Sequence, residues 1–261
     1  MGLETALRDY HAQGGKFFFD TGFCRGVMAI PINGLVWMGT LDFMQNQIRE
    51  KITAGYRCLK LKIGALDFQA ECALIREIRT EYSQEEMEIR VDANGAFSAE
   101  DAKGKLEALA ALGIHSVEQP IQAGQCREMA SLCRESPVPI ALDEELIGID
   151  NPAARKSLIH EIRSSYLVLK PSLHGGFSGC EDWIKLADRT GIGWWITSAL
   201  ESNNGLNAIA QWTSTLNNPL PQRLSSGELF ENNFPAPLYI RDARLWMNRK
   251  GKFNLSGLYH G

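Results

Sequence analysis

The stretch Cys58-Leu59-Lys60-Leu61-Lys62 has the alternating pattern of a short β-strand and ends in a charged residue. Strict alternation places Lys60 and Lys62 on one face of the strand and the two leucines on the other. Lysines that point toward a protein interior are costly unless they face groups of opposite charge. The stretch therefore predicts a strand whose inner face looks onto carboxylates.

The same pattern, a β-rich run that ends in a polar residue, recurs along the chain. The runs CLKLK, EIRVD, HSVE, PIALD, YLVLK and WWITS end in Lys62, Asp92, Glu118, Asp143, Lys170 and Ser198. Successive end residues are 30, 26, 25, 27 and 28 positions apart, about the length of a strand, a helix and two loops. This pitch predicts a TIM-type (β/α)7β barrel of the α/β class, in which the polar strand ends converge on one face.

Helical spacing between the runs supports that architecture. It predicts helices over 3–12, 41–53, 67–82, 98–112, 123–134, 151–162, 177–190 and 203–216, with further strands over 28–37 and 222–228. We divide the chain into a leading helix and linker at 1–25, a catalytic barrel at 26–230 and a C-terminal segment at 231–261 with strand-like runs LYI and RLWM.

Composition narrows the class of protein. The chain has 261 residues and a formal net charge of −4, which gives no reason to expect nucleic acid or an anionic membrane as a partner. No secretory signal or apolar run of about 18 residues is present. The six cysteines form no CxxC pair, so we expect reduced thiols in a cytoplasmic protein.

Three carboxylates at successive strand ends, Asp92, Glu118 and Asp143, predict a divalent-metal site. Such a set suits Mg²⁺, and the absence of His and Cys from it argues against zinc. Plainer interpretations exist: Asp92 heads an Asx turn, Glu118 is an exposed strand end, and Asp143 charges a loop. Their shared position on three consecutive strands favours the metal site. A metal with lysines on either side suits abstraction of a proton next to a carboxylate.

Two other stretches leave alternatives open. Ser198, which precedes Glu201-Ser202-Asn203-Asn204, either binds a substrate carboxylate or belongs to a helix cap. The stretch that begins His174-Gly175-Gly176 precedes a predicted helix and either cradles an anion or forms a plain turn, with His174 as a loop residue.

Five motifs together carry a family resemblance. They are Lys-Leu-Lys (60–62), Val-Asp-Ala-Asn-Gly (91–95), Val-Glu-Gln-Pro (117–120), Leu-Asp-Glu (142–144) and Leu-Lys-Pro-Ser (169–172). The set resembles the enolase superfamily, in the branch with lysines on both sides of the metal. Stretches 118–121, 170–176 and 197–203 are similar to the o-succinylbenzoate synthases of menaquinone biosynthesis, and the resemblance covers about residues 1 to 255.

The resemblance implies a lyase that uses Mg²⁺, with Mn²⁺ as a substitute. Its reaction would dehydrate a succinyl-hydroxycyclohexadiene-carboxylate to 2-succinylbenzoate through an enediolate. Lys62 would remove the α-proton and return it to the departing hydroxyl, Lys170 would stabilise the enediolate from the opposite face, and Lys60 would support the developing charge. Metal ligands would be Asp92, Glu118 and Asp143, and substrate contacts would be Ser198, Ser202, Ser226 and Gly227.

The chain departs from the family pattern in two places. Relatives begin with a capping domain of about a hundred residues, whereas this chain begins in what resembles the last helix of that cap, so residual cap elements are expected at both termini. Relatives often carry a Gly-Thr-Gly turn at the eighth strand, where this chain has Leu224-Ser225-Ser226-Gly227. Both departures bear on activity, because water exclusion depends on a closed site.

Other functions remain open at the level of sequence. A racemase of N-acylamino acids or an epimerase of dipeptides needs the same two lysines, and a Schiff-base aldolase would use Lys170 as its nucleophile. A barrel without its cap that binds metal but does not turn over, or a fragment of a longer product, is the non-enzymatic alternative. The expected partner is a small carboxylate substrate; a homo-oligomer or a separate capping segment stays open.

Overall fold

The computed structural model describes residues 1–225, 230–251 and 253. The chain divides into two compact units. The carboxylate unit comprises Asn33–Val168 and Asp182–Trp194, and the terminal unit comprises Met1–Ile32, Leu169–Glu181 and Trp195–Gly261.

Strands and helices alternate along most of the chain. In order they are α1 (Gly2–His11), β1 (Ile30–Pro31), β2 (Gly34–Val36), α2 (Leu41–Thr53), β3 (Cys58–Lys62), α3 (Phe68–Glu81), β4 (Glu88–Asp92), α4 (Ala99–Ala111), β5 (Ser116–Glu118), α5 (Cys126–Glu135), β6 (Ile140–Leu142), a 3-10 turn (Glu144–Leu146), α6 (Pro152–Ile162), β7 (Tyr166–Leu169), α7 (Gly176–Thr190), β8 (Gly193–Ile196), α8 (Asn203–Thr213), β9 (Leu238–Arg241) and β10 (Arg244–Met247). The predicted alternation is confirmed.

A seven-stranded sheet runs in chain order from β2 to β8. The pairings from β2 to β7 are parallel, as expected for strands joined by helical crossovers. Leu59 and Leu61 of β3 are fully buried, as are Ile89 and Val91 of β4. Since side chains alternate along a strand, the polar residues of β3 and β4 share the opposite face.

Side-chain caps fix where several helices begin. The predicted cap Ser98 accepts a hydrogen bond from the backbone N–H of Asp101. Asn151 accepts from Ala153 and Ala154 at the start of α6, and Pro152 occupies its first turn as predicted. These caps set the connections that return the chain to the next strand.

The terminal unit contains a small antiparallel sheet in the order β1-β10-β9. The strand-like runs predicted near the C-terminus form β9 and β10, and β10 pairs with β1 through Ile30 and Leu245. The strand predicted over 28–37 is in fact two, since β1 joins this sheet while β2 pairs with β3. The eighth strand predicted over 222–228 is represented by isolated bridges at Gln222 and Arg223; residues 226–228 lie outside the described part.

Helix α1 has no buried residue, and its Glu4 carboxylate contacts the start of α7. Glu4 accepts hydrogen bonds from the backbone N–H groups of Phe177 at 2.7 Å and Ser178 at 3.0 Å, which open α7. A carboxylate is favoured there by the exposed N–H groups of a helix N-terminus. Across the described ranges, no helix has the length and apolar character needed to cross a membrane.

Candidate active site

The ends of β3, β4 and β5 bring two lysines and two carboxylates together. Lys62 pairs in register with Asp92, and Asp92 with Glu118. The ammonium of Lys60 lies 2.8 Å from Asp92 Oδ2 and 2.6 Å from Glu118 Oε1. The ammonium of Lys62 lies 2.7 Å from the same Asp92 oxygen. The lysines predicted to face carboxylates therefore do so within the carboxylate unit.

Burial makes these charges strongly dependent on one another. The side chains of Lys60, Asp92 and Glu118 are exposed by 4%, 0% and 3%. Burial alone disfavours the charge on Lys60, but Asp92, Glu118 and Asp143 together outweigh it and raise its pKa. Burial likewise opposes ionisation of Asp92, yet the charges of Lys60 and Lys62 hold its pKa below the usual range.

Glu118 behaves differently from its neighbour Asp92. Burial first, and then the negative charge of Asp92, raise the pKa of Glu118 well above the ordinary value, against the opposing effect of Lys60. When two carboxylates lie together in a buried space, ionising both has a high free-energy cost unless positive charge is added. The interpretation of Glu118 as an exposed strand end is wrong, because its side chain is almost fully buried.

Asp92 forms the Asx turn and also belongs to the charged site, the two interpretations considered from the sequence. Its Oδ1 accepts the backbone N–H of Asn94 at 3.1 Å, which is the Asx turn. Its Oδ2 faces Lys60 and Lys62. The turn interpretation and the charged-site interpretation are therefore compatible.

Gln119 ties the end of β5 to the loop after β6. Its Oε1 accepts the backbone N–H groups of Asp143 at 3.1 Å and Glu145 at 3.3 Å. Its Nε2 donates to Ile121 O at 3.0 Å and to Glu145 Oε2 at 3.2 Å. The amide is fully buried, and every hydrogen-bonding position of its side chain is used.

Gln119 was not singled out from the sequence as a site residue. The Gln-Pro pair after Glu118 was visible as a motif, but its bonding to a loop more than twenty positions later was not. The backbone N–H of Asp143 is one of the groups that donate to Gln119. Asp143 is 1% exposed, so the interpretation of its side chain as a mere loop charge is wrong.

A second bridge, also missed from the sequence, involves Asn94. Its Oδ1 accepts from the ammonium of Lys62 at 2.6 Å, and its Nδ2 donates to Glu144 Oε1 at 2.9 Å. Asn94 has a positive φ of 44°, a conformation that Asn adopts more readily than most residues. Asn94 thus links the end of β3 to the residues that follow β4 and β6 within the carboxylate unit.

The donor set is chemically suited to a hard divalent cation. Its oxygens are carboxylates, and the buried Oε2 of Glu118 accepts no hydrogen bond from a donor within the described residues. In the described part of the chain no three His, Cys, Asp or Glu side chains are already grouped around one metal position. Instead the ammonium of Lys60 lies against Asp92 and Glu118, so binding of a cation would require that side chain to shift.

Lys170 lies in the terminal unit, in the turn between β7 and α7. Its backbone N–H donates to Nδ1 of His174 at 2.9 Å. His174 is 2% exposed and lies in the turn expected from the sequence. The imidazole thus accepts a hydrogen bond from the backbone that carries Lys170, a contact that the sequence did not indicate.

The stretch 198–203 forms a network within the terminal unit. Glu201 Oε2 lies 2.6 Å from the hydroxyl of Ser198, and Glu201 Oε1 accepts from Ser172 at 2.5 Å. Ser202 occupies the N-cap position of α8 without a side-chain capping bond. The Ser198 hydroxyl also accepts a hydrogen bond from the backbone N–H of Leu200 at 3.0 Å. The predicted substrate contacts Ser226 and Gly227 lie outside the described residues.

Most of the chain matches one protein family. Residues 44–251 match the model of the family described as Enolase C-terminal domain-like. The chain is 52% identical over 238 residues to an o-succinylbenzoate synthase of Desulfotalea psychrophila, an alignment that covers 91% of this chain and 64% of that protein. It is 26% identical to an L-Ala-D/L-Glu epimerase of Bacillus subtilis, with 72% of this chain and 48% of the epimerase covered.

A solved structure agrees with the sequence comparison. The crystal structure of MenC from Desulfotalea psychrophila matches 90% of this chain and 65% of its own length, with a TM-score of 0.84 and 51% identity. The predicted α/β barrel class is thereby confirmed. The chain spans less than two thirds of the length of these relatives.

Proposed function

The chain belongs to the Enolase C-terminal domain-like family, and on that premise we propose that it acts as a Mg²⁺-dependent lyase. The reaction is the dehydration of a succinyl-hydroxycyclohexadiene-carboxylate to 2-succinylbenzoate. The relative that is 52% identical is named o-succinylbenzoate synthase, whereas the named epimerase is 26% identical. This contrast favours dehydration over epimerisation.

The observation that carries the proposal is the placement of Lys62. Its side chain is 15% exposed at the end of β3, and its ammonium contacts Asp92 Oδ2 at 2.7 Å and Asn94 Oδ1 at 2.6 Å. A primary amine fixed at the edge of a buried charge cluster can meet a substrate and exchange a proton with it. Lys60, more deeply buried, is suited to balance charge rather than to accept a proton from substrate.

In the proposed reaction Lys62 takes up one proton from the substrate and later returns it to the leaving hydroxyl. The neutral amine of Lys62 removes the proton from the carbon next to the substrate carboxylate, and the electron pair moves onto that carboxylate as an enediolate. Collapse of the enediolate forms the ring double bond and expels the neighbouring hydroxyl, which takes the proton from Lys62 and leaves as water. Lys60 and Lys170 stabilise the negative charge that develops.

Asp92, Glu118 and Asp143 would hold Mg²⁺. When bound, the ion supplies a positive charge that stabilises the developing enediolate oxygens. Counting Asp143, whose charge also acts on Lys60, three carboxylates face the two lysines Lys60 and Lys62, and this excess of negative charge supports the assignment. Ser198, Ser202, Ser226 and Gly227 are proposed as substrate contacts.

An absorbance assay on the purified chain tests the proposal. We expect conversion of the cyclohexadiene substrate to 2-succinylbenzoate, loss of conversion in EDTA, and recovery with Mg²⁺ or Mn²⁺. Parallel incubation with L-Ala-L-Glu in deuterated water reports epimerisation. Epimerisation without dehydration would replace the proposed reaction with its rival, and a folded chain that performs neither reaction would contradict the proposed activity for this chain.

A further inference from the structure

Lys62 is held by two oxygens of different character. One belongs to the Asp92 carboxylate, which it shares with Lys60, and the other to the neutral side-chain amide of Asn94. Asp92 alone leaves the long lysine side chain free to pivot about a single contact. The amide oxygen of Asn94 is a second acceptor, and two acceptors together fix the direction of the Lys62 amine.

The Asn94 amide is itself oriented by Glu144. Its Nδ2 donates to Glu144 Oε1 at 2.9 Å while its Oδ1 accepts from Lys62 at 2.6 Å. Rotation of the amide by half a turn would place its NH₂ group against the ammonium and its carbonyl oxygen against the carboxylate. Both contacts would then be repulsive, so Glu144 selects the orientation in which Asn94 can accept from Lys62.

The backbone of Asn94 is fixed as well. Its N–H donates to Asp92 Oδ1 at 3.1 Å, and its φ of 44° belongs to the left-handed region. The side chain is nonetheless solvent-exposed, so the fold does not depend on burying it. Asn94 is exposed, has a left-handed backbone and accepts a hydrogen bond from a reactive lysine. These features are better explained by a role in positioning Lys62 than by a role in packing the fold.

We propose that Asn94 and Glu144 are positioning residues for Lys62, with Glu144 acting through Asn94. The inference rests on the proposed function, in which Lys62 transfers the proton. The contacts with Asp92 and Asn94 together set where the Lys62 amine lies at the end of β3, and the bond to Glu144 sets the orientation of the Asn94 amide.

A double-mutant cycle tests the proposal. Asn94→Gly removes the amide but tolerates the positive φ, and Glu144→Ala removes the group that orients it. We expect kcat to fall about 10- to 100-fold in Asn94→Gly, because small misplacements of a reacting group have large kinetic effects. We expect a smaller fall in Glu144→Ala, and no further fall when both changes are combined.

Two further variants separate positioning from general damage. Glu144→Gln keeps an acceptor oxygen for Asn94 Nδ2 and should retain most of the activity. Gln45→Ala removes another exposed amide that donates to a carboxylate, Glu77 at 2.9 Å, and serves as the matched control with unchanged kcat. KM and the thermal midpoint should stay close to wild type in all of these variants, since the loss concerns the amine and not the fold.

The outcomes distinguish this inference from the proposed function. Additive losses in the double variant, or a kcat in Asn94→Gly equal to wild type, would overturn the positioning role. If the wild-type chain itself shows no dehydration, the proposed function fails, and a crystal structure of Asn94→Gly then tests positioning alone. A displaced or multiply placed Lys62 ammonium would support the inference, and an unchanged Lys62 would overturn it.

Discussion

Gln119 Oε1 accepts a 3.1 Å hydrogen bond from the backbone N–H of Asp143, so the residue next to Glu118 fixes the backbone of a second carboxylate residue. The backbones of the two proposed ligands, Glu118 and Asp143, are therefore linked through Gln119. The bond spans two neighbouring strand ends, and Gln119 reaches it from a left-handed backbone conformation with φ of 38°.

Substitution of Gln119 should weaken Mg²⁺ binding, because Gln119 accepts a hydrogen bond from the backbone of the proposed ligand Asp143. We expect Gln119→Leu to lower Mg²⁺ affinity by about tenfold or more, the size typical of residues that support metal ligands through a second contact. Isothermal titration of the folded chain measures it. Gln125→Leu, which loses one exposed bond to Gln122 O, is the control. Equal Mg²⁺ affinity in Gln119→Leu and wild type would contradict the role of Gln119.

Lys60→Met should make folding depend on added Mg²⁺. The substitution leaves Asp92 and Glu118 buried without their nearest shared cation, and loss of one partner of a buried ion pair typically costs about 3–5 kcal/mol. We expect urea unfolding in EDTA to show this loss, and Mg²⁺ to recover part of it if the carboxylates bind the ion.

The exposed pair of Lys103 and Glu135 provides the control for that experiment. Their side chains are 58% and 48% exposed, so solvent already screens their charges. Lys103→Met should leave the unfolding midpoint unchanged with and without Mg²⁺. A Lys60→Met chain that Mg²⁺ does not stabilise would count against Asp92 and Glu118 as ligands.

Glu71 should give the stability of the chain a pH dependence. Its side chain is 2% exposed, Oε1 accepts the N–H groups of Gly64 at 2.8 Å and Leu66 at 3.1 Å, and burial raises its pKa. The folded chain therefore holds this proton more tightly than the unfolded chain. The resulting stability is fully present below the ordinary carboxyl pKa and is lost as the pH rises through the raised value.

Two substitutions of Glu71 separate charge from hydrogen bonding. Glu71→Gln keeps the acceptor oxygen but cannot ionise, so its stability should fall less than that of wild type as the pH rises from the ordinary carboxyl pKa through the raised pKa of Glu71. Glu71→Ala leaves the N–H groups of Gly64 and Leu66 without that acceptor and should lose about 1–3 kcal/mol at every pH. Urea midpoints measure both, and parallel pH profiles for Glu71→Gln and wild type would refute the charge effect.

Most of the fold was predictable because it depends on local pattern. Alternation placed Lys60 and Lys62 on one face of β3, and equal spacing placed Asp92 and Glu118 at neighbouring strand ends, where the register confirms them. Helix limits were predictable where a cap is encoded, as at Ser98. The domain limits 1–25, 26–230 and 231–261 stay a prediction.

Features that depend on contacts between distant loops were not predictable. The helix expected from 123 begins at Cys126, because Glu145 holds the N–H of Gly124 at 3.0 Å and keeps that segment in a loop. The bond from Asn94 to Glu144 joins residues fifty positions apart. No pattern of propensity or periodicity specifies such pairs, since each depends on the register already reached by the strands.

Lys62→Ala should abolish turnover and leave the rest of the site intact. Loss of a general base typically lowers the rate by about 10²- to 10⁴-fold. The fold should persist because Lys62 is 15% exposed and Asp92 keeps its contact with Lys60 at 2.8 Å. Steady-state kinetics, circular dichroism and Mg²⁺ titration measure the three properties separately. Lys185→Ala, which removes an exposed lysine paired with Asp182, is the control; near-normal turnover in Lys62→Ala would mean that another group takes the proton.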